Sequence, residues 1–137
     1  MYKEKLGFVL TCLLFGMGVP LCLSAKTATF EDNYTKAKAN AASGAGLAYD
    51  QQLGTYLQGL PDIMQGMKSC AANSGGATSV HGYFEFQSAT AYKVVLQPKN
   101  AFSDCIATAL ENRHLPAPPT TPYLDPFELG MSNAMSH

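Results

Sequence analysis

The chain has 137 residues, of which 47% are hydrophobic, and this length suits one domain. Only 14% of the residues are charged, and the formal net charge is −1. A nearly neutral chain lacks the basic surface that attracts nucleic acid or anionic lipid. We therefore expect neither nucleic acid nor a membrane surface as a partner of the exported protein.

The first 25 residues have the order of a secretory signal peptide. A short basic start precedes a long apolar run, and Ser24-Ala25 follows as a small-residue cleavage site. This pattern predicts a protein of the periplasm or one that is secreted. Two alternatives stay open, namely an uncleaved membrane anchor and lipidation at Cys22.

The four cysteines divide between the predicted signal peptide and the rest of the chain. Cys12 and Cys22 lie in the signal peptide, which leaves Cys70 and Cys105. Two cysteines without competitors normally pair in an oxidising compartment, so we expect a structural disulfide between them. A redox-active pair is the alternative, but such pairs favour Cys-x-x-Cys spacing and exposed thiolates. Both cysteines instead fall on apolar stripes of predicted helices.

The composition divides the exported part into three segments. Residues 26–47 are rich in small and polar side chains and predict a loosely ordered lead-in, with alanines that could support a short helix over 30–42. We expect one α+β domain over 48–131. Residues 132–137 are predicted to form a flexible tail.

The apolar spacing predicts helices around both cysteines. Between Tyr49 and Cys70 the apolar residues recur with helical period, and Pro61 interrupts them. We therefore expect two collinear helices, over about 49–59 and 61–71. A further helix carrying Cys105 should begin after Asn100, which is a good capping residue.

Alternating apolar residues predict three strands. Two lie over 80–87 and 92–97 and form a hairpin. Prolines confine the third strand to an edge of the sheet or delay its start until Phe127. Its apolar residues are Tyr123, Phe127, Leu129 and Met131. The order of elements predicts a two-layer fold, with the helices on one face of a three-stranded antiparallel sheet.

This α-β-β-α-β order, the Phe102-x-x-Cys105 helix and the proline cluster of residues 115–119 before the last strand resemble the C-terminal domain of the TonB type. They are more closely similar to small exported bacterial proteins of unassigned function that carry a cysteine in each helix. The similarity covers about residues 49–131. It implies a TonB C-terminal-like fold and a periplasmic, non-catalytic protein-contact module.

No motif of nucleophilic catalysis, phosphate binding or cofactor binding occurs in the sequence. We therefore expect a protein that is not an enzyme and has no cofactor. The leading hypothesis is a module that binds a protein partner in the cell envelope. The predicted contact surface is the edge of the last strand, at Phe127, Leu129 and Met131.

Two groups of soft donor atoms suggest an alternative, a periplasmic copper-handling protein. They are Met64, Met67 and Cys70 on a predicted helix, and Met131, Met135 and His137 near the C-terminus. The spacing of the first group is also that of an ordinary core stripe, so we assign no metal site to these residues.

Overall fold

The computed structural model describes residues 27–75 and 79–130. The predicted signal peptide, Met131 and the predicted tail lie outside these residues. The described elements, in chain order, are α1 (Phe30–Asn40), α2 (Gly44–Gln58), α3 (Pro61–Ala72), β1 (Ser79–Phe86), β2 (Tyr92–Gln97), α4 (Ala101–Leu110) and β3 (Tyr123–Gly130). No helix of the described ranges is long and apolar enough to cross a membrane.

The three strands form an antiparallel sheet in the order β2-β1-β3. Phe84 in the central strand pairs with Val94 on one side and with Asp125 on the other. The predicted α+β class is confirmed, and β3 lies at an edge of the sheet as its prolines require.

The long helical stretch is divided where the sequence indicates. α2 ends at Gln58, and α3 begins with Pro61, which needs no hydrogen-bond acceptor at the first helical position. α2 begins at Gly44, earlier than the apolar periodicity predicts. The segment predicted as a lead-in contains α1, whose first turn is held by a capping box between Thr29 and Asp32.

Helices cover both faces of the sheet. The main core lies between the sheet and α2, α3 and α4, and its fully buried members include Leu53, Ile63, Phe84, Phe86, Leu96, Ile106 and Leu110. On the other face, Ala37 of α1 is buried against Tyr83 and Leu124. The predicted two-layer fold is therefore wrong for this face. Because Tyr83 and Leu124 alternate with the core residues of their strands, they leave an apolar surface that α1 covers.

The predicted disulfide is present between Cys70 in α3 and Cys105 in α4, with a Cα–Cα distance of 5.7 Å. Cys70 is buried, whereas Cys105 is exposed at the rim of the helical layer. The prediction that both cysteines lie on buried stripes is wrong for Cys105. α4 is turned so that Ser103 is buried instead, and its hydroxyl completes a capping box with Asn100.

Tyrosines hold the connection between α4 and β3. The hydroxyl of Tyr49 donates to the carbonyl of Pro116 at 2.8 Å, and that of Tyr56 donates to the carbonyl of His114 at 2.6 Å. Both tyrosines come from α2. The proline cluster is therefore packed along this helix and sets the direction from which the chain enters β3.

Candidate binding groove

A groove of about 580 Å³ runs between the C-terminal half of β3 and the helices α2 and α3. Its apolar lining consists of Leu53, Leu57, Met64, Met67, Phe84, Phe127 and Leu129. Phe127 and Leu129, two of the predicted contact residues, thus lie together on one wall, and both are half-buried. The third, Met131, is outside the described residues. An apolar concavity of this size is typical of sites that bind a side chain or a small ligand.

Two methionines form the opposite wall of the groove. Met64 is 36% exposed, and Met67 beside it is buried. Unbranched thioether side chains adapt to ligands of different shape, so this wall can adjust to an occupant.

The predicted copper ligands do not form a site here. The sulfur of Cys70 is bonded to Cys105 and has no thiolate to offer beside Met64 and Met67. Within residues 27–75 and 79–130, no three His, Cys, Asp or Glu side chains are placed to hold a metal ion. Met135 and His137 lie outside these ranges.

The backbone of β3 has an open side along its C-terminal half. The N–H of Gln87 donates to the carbonyl of Ala91 at 2.9 Å. In an antiparallel pair, hydrogen bonds link every second pair of opposite residues. Since Gln87 bonds towards β2, the other odd-numbered residues of β1 also bond to β2. The even-numbered residues of β1 then bond to β3. The strand register then directs the backbone groups of Leu124, Pro126, Glu128 and Gly130 away from the sheet.

One end of this open side is closed by α1. The side-chain amide of Asn40 donates to the carbonyl of Leu124 at 2.9 Å. Pro126 has no N–H, so its ring can sit at an outward position of an edge strand without leaving a donor unsatisfied. In residues 126–130 of β3, the outward backbone N–H and C=O groups form no hydrogen bond with another described element.

Open space lies on both sides of this edge. A second cavity of about 320 Å³ lies on the α1 side and is lined by Lys38, Ala41, Asp50, Pro126 and Glu128. Asp50, Pro126 and Glu128 also line the groove. An extended chain could therefore approach the edge with its side chains on either face.

A buried carboxyl group lies at the end of the groove. Asp125 is 1% exposed, and its Oδ1 has no hydrogen-bond partner among the described residues. Burial, together with the charge of Asp50, raises the pKa of Asp125 to about 7. Burial also raises the pKa of Asp50. The ion pairs of the described residues involve neither carboxylate, so this end of the groove is acidic without compensation.

Glu128 lies on the α1 side of the edge, and its negative charge is balanced by neighbouring groups. Glu128 accepts a hydrogen bond from the hydroxyl of Tyr34, and its Oε1 lies 3.6 Å from the ammonium group of Lys38. The Tyr34 hydrogen bond and the nearby Lys38 charge hold the pKa of Glu128 below its usual range. Asp50, which belongs to no ion pair among the described residues, lines both the groove and the cavity on the α1 side, whereas Asp125 lines the groove.

Sequence reasoning missed Asp50 and Asp125. A signal for Asp125 was present, because it falls in the inward alternation of Tyr123, Phe127 and Leu129. A carboxyl group at a core-facing position of an apolar strand is unusual and points to a functional role. Asp50 carries no such signal, since its place beside Asp125 depends on how α2 packs.

Comparison of the chain with protein-family models finds no match, and neither curated proteins nor solved structures show significant similarity to it.

Proposed function

We propose that the protein is an exported, non-catalytic module that binds an extended segment of a partner polypeptide along the open edge of β3. The observation that carries this proposal is the unbonded outward side of residues 126–130, which lies directly beside the apolar groove. In strand addition, backbone hydrogen bonds supply affinity, and pockets for alternate side chains supply specificity. The groove and the cavity on the α1 side would receive the alternate side chains of the bound segment.

Export is part of the proposal and rests on the signal-peptide pattern of residues 1–25. The disulfide supports it, because such bonds persist mainly in oxidising compartments. The order α3-β1-β2-α4-β3 agrees with the resemblance to TonB-type C-terminal domains, and we propose that fold relationship on the same basis. Fold similarity alone assigns no function, so the edge and the groove carry the argument.

The proposal is tested with peptides selected from a random library against the purified exported protein. We expect selected peptides to slow hydrogen exchange at the amides of Glu128 and Gly130, which point outward from the edge. Glu128→Pro removes one of these donors, whereas Glu128→Ala removes the side chain and keeps the N–H. Binding should fall about tenfold or more in the proline variant relative to the alanine variant.

Two results would contradict strand addition at β3. One is equal peptide affinity of the Glu128→Pro and Glu128→Ala variants. The other is protection of β2, the opposite edge, in place of residues 126–130.

Copper handling, the alternative function, rests on Met131, Met135 and His137. Titration of the purified protein with copper(I) under reducing conditions tests it. Absence of binding below micromolar concentrations would remove it.

A further inference from the structure

We infer that Asp50 and Asp125 form an acceptor for a basic side chain, so that the bound segment carries a lysine or arginine beside its apolar residues. This inference rests on the proposed strand addition and names the chemistry of its partner. It makes Asp50 and Asp125 specificity-determining residues of the groove.

The first support is the unsatisfied acceptor. Oδ1 of Asp125 is buried and has no hydrogen-bond partner among residues 27–75 and 79–130, and Asp125 is one of the residues that line the groove. Buried polar atoms nearly always have a partner, because leaving one unpaired is unfavourable. A donor that enters from the groove would satisfy this atom.

The second support is the distribution of charge. Asp50 lines the same groove as Asp125, and its charge adds to the burial that raises the pKa of Asp125. Lys38 lies on the other side of the edge and pairs with Glu128. A cation from outside would therefore complement the groove end, and the low polarity of the walls would strengthen the attraction.

The third support is the position of the acceptor relative to the edge. Asp125 directly precedes Pro126, where the open side of β3 begins, and its side chain lies on the same sheet face as that of Phe127. Side chains directly opposite each other on adjacent strands lie about 5 Å apart at Cβ and share a face. A residue of the added strand that lies opposite Asp125 or Phe127 would therefore point into the groove.

The lining of the groove fits a long basic side chain better than a metal ion. Lysine and arginine have apolar stems, which Leu53 and Phe127 can contact while the charged group reaches the carboxyl groups. Calcium takes six or more oxygen ligands, and a magnesium ion keeps octahedral geometry. Asp50 and Asp125 alone supply only part of such a shell, and the walls next to them are mainly apolar.

The first arm of the test uses small side-chain mimics and does not depend on strand addition. n-Butylammonium and n-butylguanidinium are titrated into the disulfide-bonded protein at pH 8, where Asp125 is mainly ionised, and the carboxyl carbons of its aspartates are observed by NMR. We expect the signals of Asp50 and Asp125 to shift with saturation. Asp125→Asn and Asp50→Asn should each weaken binding about tenfold, because each removes a charged acceptor. Asp104→Asn removes an exposed charge in α4 and should leave binding unchanged.

The second arm uses a library-selected peptide and a copy with norleucine in place of its basic residue. Norleucine should weaken binding to the wild-type protein by about tenfold and should have little effect on the Asp125→Asn variant. Peptides that protect the Glu128 amide without preferring a basic residue would overturn the inference and leave strand addition standing. Cation binding without any protection of Glu128 would overturn strand addition and support the acceptor.

Two further outcomes also overturn the inference. Equal binding of n-butanol would show that the groove recognises the apolar stem alone. Tighter binding of calcium or magnesium than of either organic cation would show that the carboxyl pair is a metal site.

Discussion

The phenolic oxygen of Tyr92 accepts the backbone N–H of Arg113 at 2.9 Å, and the same hydroxyl donates to the carbonyl of Leu110 at 2.7 Å. One side chain of β2 thereby satisfies two backbone groups at the C-terminal end of α4. The chain reverses there through Asn112, whose φ of 57° lies in the left-handed region. Tyr92 thus links the end of α4 to the edge of the sheet.

Replacement of Tyr92 by phenylalanine should lower the free energy of unfolding by about 1–3 kcal/mol, because it leaves a part-buried donor and acceptor without a partner. Urea denaturation measures this change. Tyr56→Phe is the matched control, since its single hydrogen bond to His114 is exposed and should contribute about 1 kcal/mol or less. Equal losses in the two variants would contradict the role assigned to Tyr92.

Reduction of the disulfide should lower the free energy of unfolding by about 3.5–4 kcal/mol, as expected from the loop entropy of a 35-residue separation. Urea denaturation with and without reductant measures the difference. Under reducing conditions Cys70→Ser should be more destabilising than Cys105→Ser, because Cys70 is buried and Cys105 is exposed. Alkylation of both thiols in the native, untreated protein would contradict the disulfide itself.

Replacing each of two glycines in α2 by alanine should change the stability of the protein in opposite directions. A Cβ on Gly46 would lie 1.8 Å from the carbonyl oxygen of Asn40 and 2.8 Å from the hydroxyl of Tyr123, so Gly46→Ala must displace α1 or β3. A Cβ on Gly54 meets nothing within 4 Å, and Gly54→Ala should stabilise the protein by about 0.5–1 kcal/mol. Melting temperatures of the two variants check the prediction. A stabilising Gly46→Ala would contradict the close approach of α2 to Asn40.

Asp125 should make the protein less stable as the pH rises. Its pKa is 3.8 in a model peptide and about 7 in the folded protein, where burial and the charge of Asp50 disfavour the carboxylate. The folded state therefore binds more protons than the unfolded state between these two values. The resulting loss in the free energy of unfolding is about 4 kcal/mol for a pKa shift of this size and is complete above about pH 7.

Asp125→Asn tests this prediction, because asparagine cannot ionise. The groups that face Asp125, namely Asp50, Tyr49 and Tyr123, are unchanged in the variant. Urea denaturation at pH 4.5, 6 and 8 should show stability falling with pH in the wild type and a flatter profile in the variant. Parallel profiles would contradict a raised pKa for Asp125.

Much of the fold follows from local patterns. The break at Pro61 and the cap at Asn100 were predicted because each depends on the chemistry of a single residue. The pairing of Cys70 with Cys105 was predicted because they are the two cysteines outside the predicted signal peptide. The place of α1 was missed, because burial of Ala37 against Tyr83 depends on the packing of distant segments.

The candidate site was only partly predictable for the same reason. Phe127 and Leu129 were found from alternation along one strand, and the structure places both in the groove. The acidic end requires Asp50 from α2 and Asp125 from β3, which are far apart in the sequence. Only the packing of α2 across β3 brings these two carboxyl groups to the same place.

The hydrogen bond between the Asn40 amide and the Leu124 carbonyl would limit the register in which a partner strand can add to β3. A chain lying along β3 that slid two residues towards Tyr123 would meet the Asn40 amide instead of a vacant carbonyl, and opposite Pro126 it would find no donor at all. In the proposed strand addition, the Asn40 amide and the Pro126 ring would thereby fix the register of the added strand. Backbone alignment would then decide which partner residue lies at the acidic end of the groove.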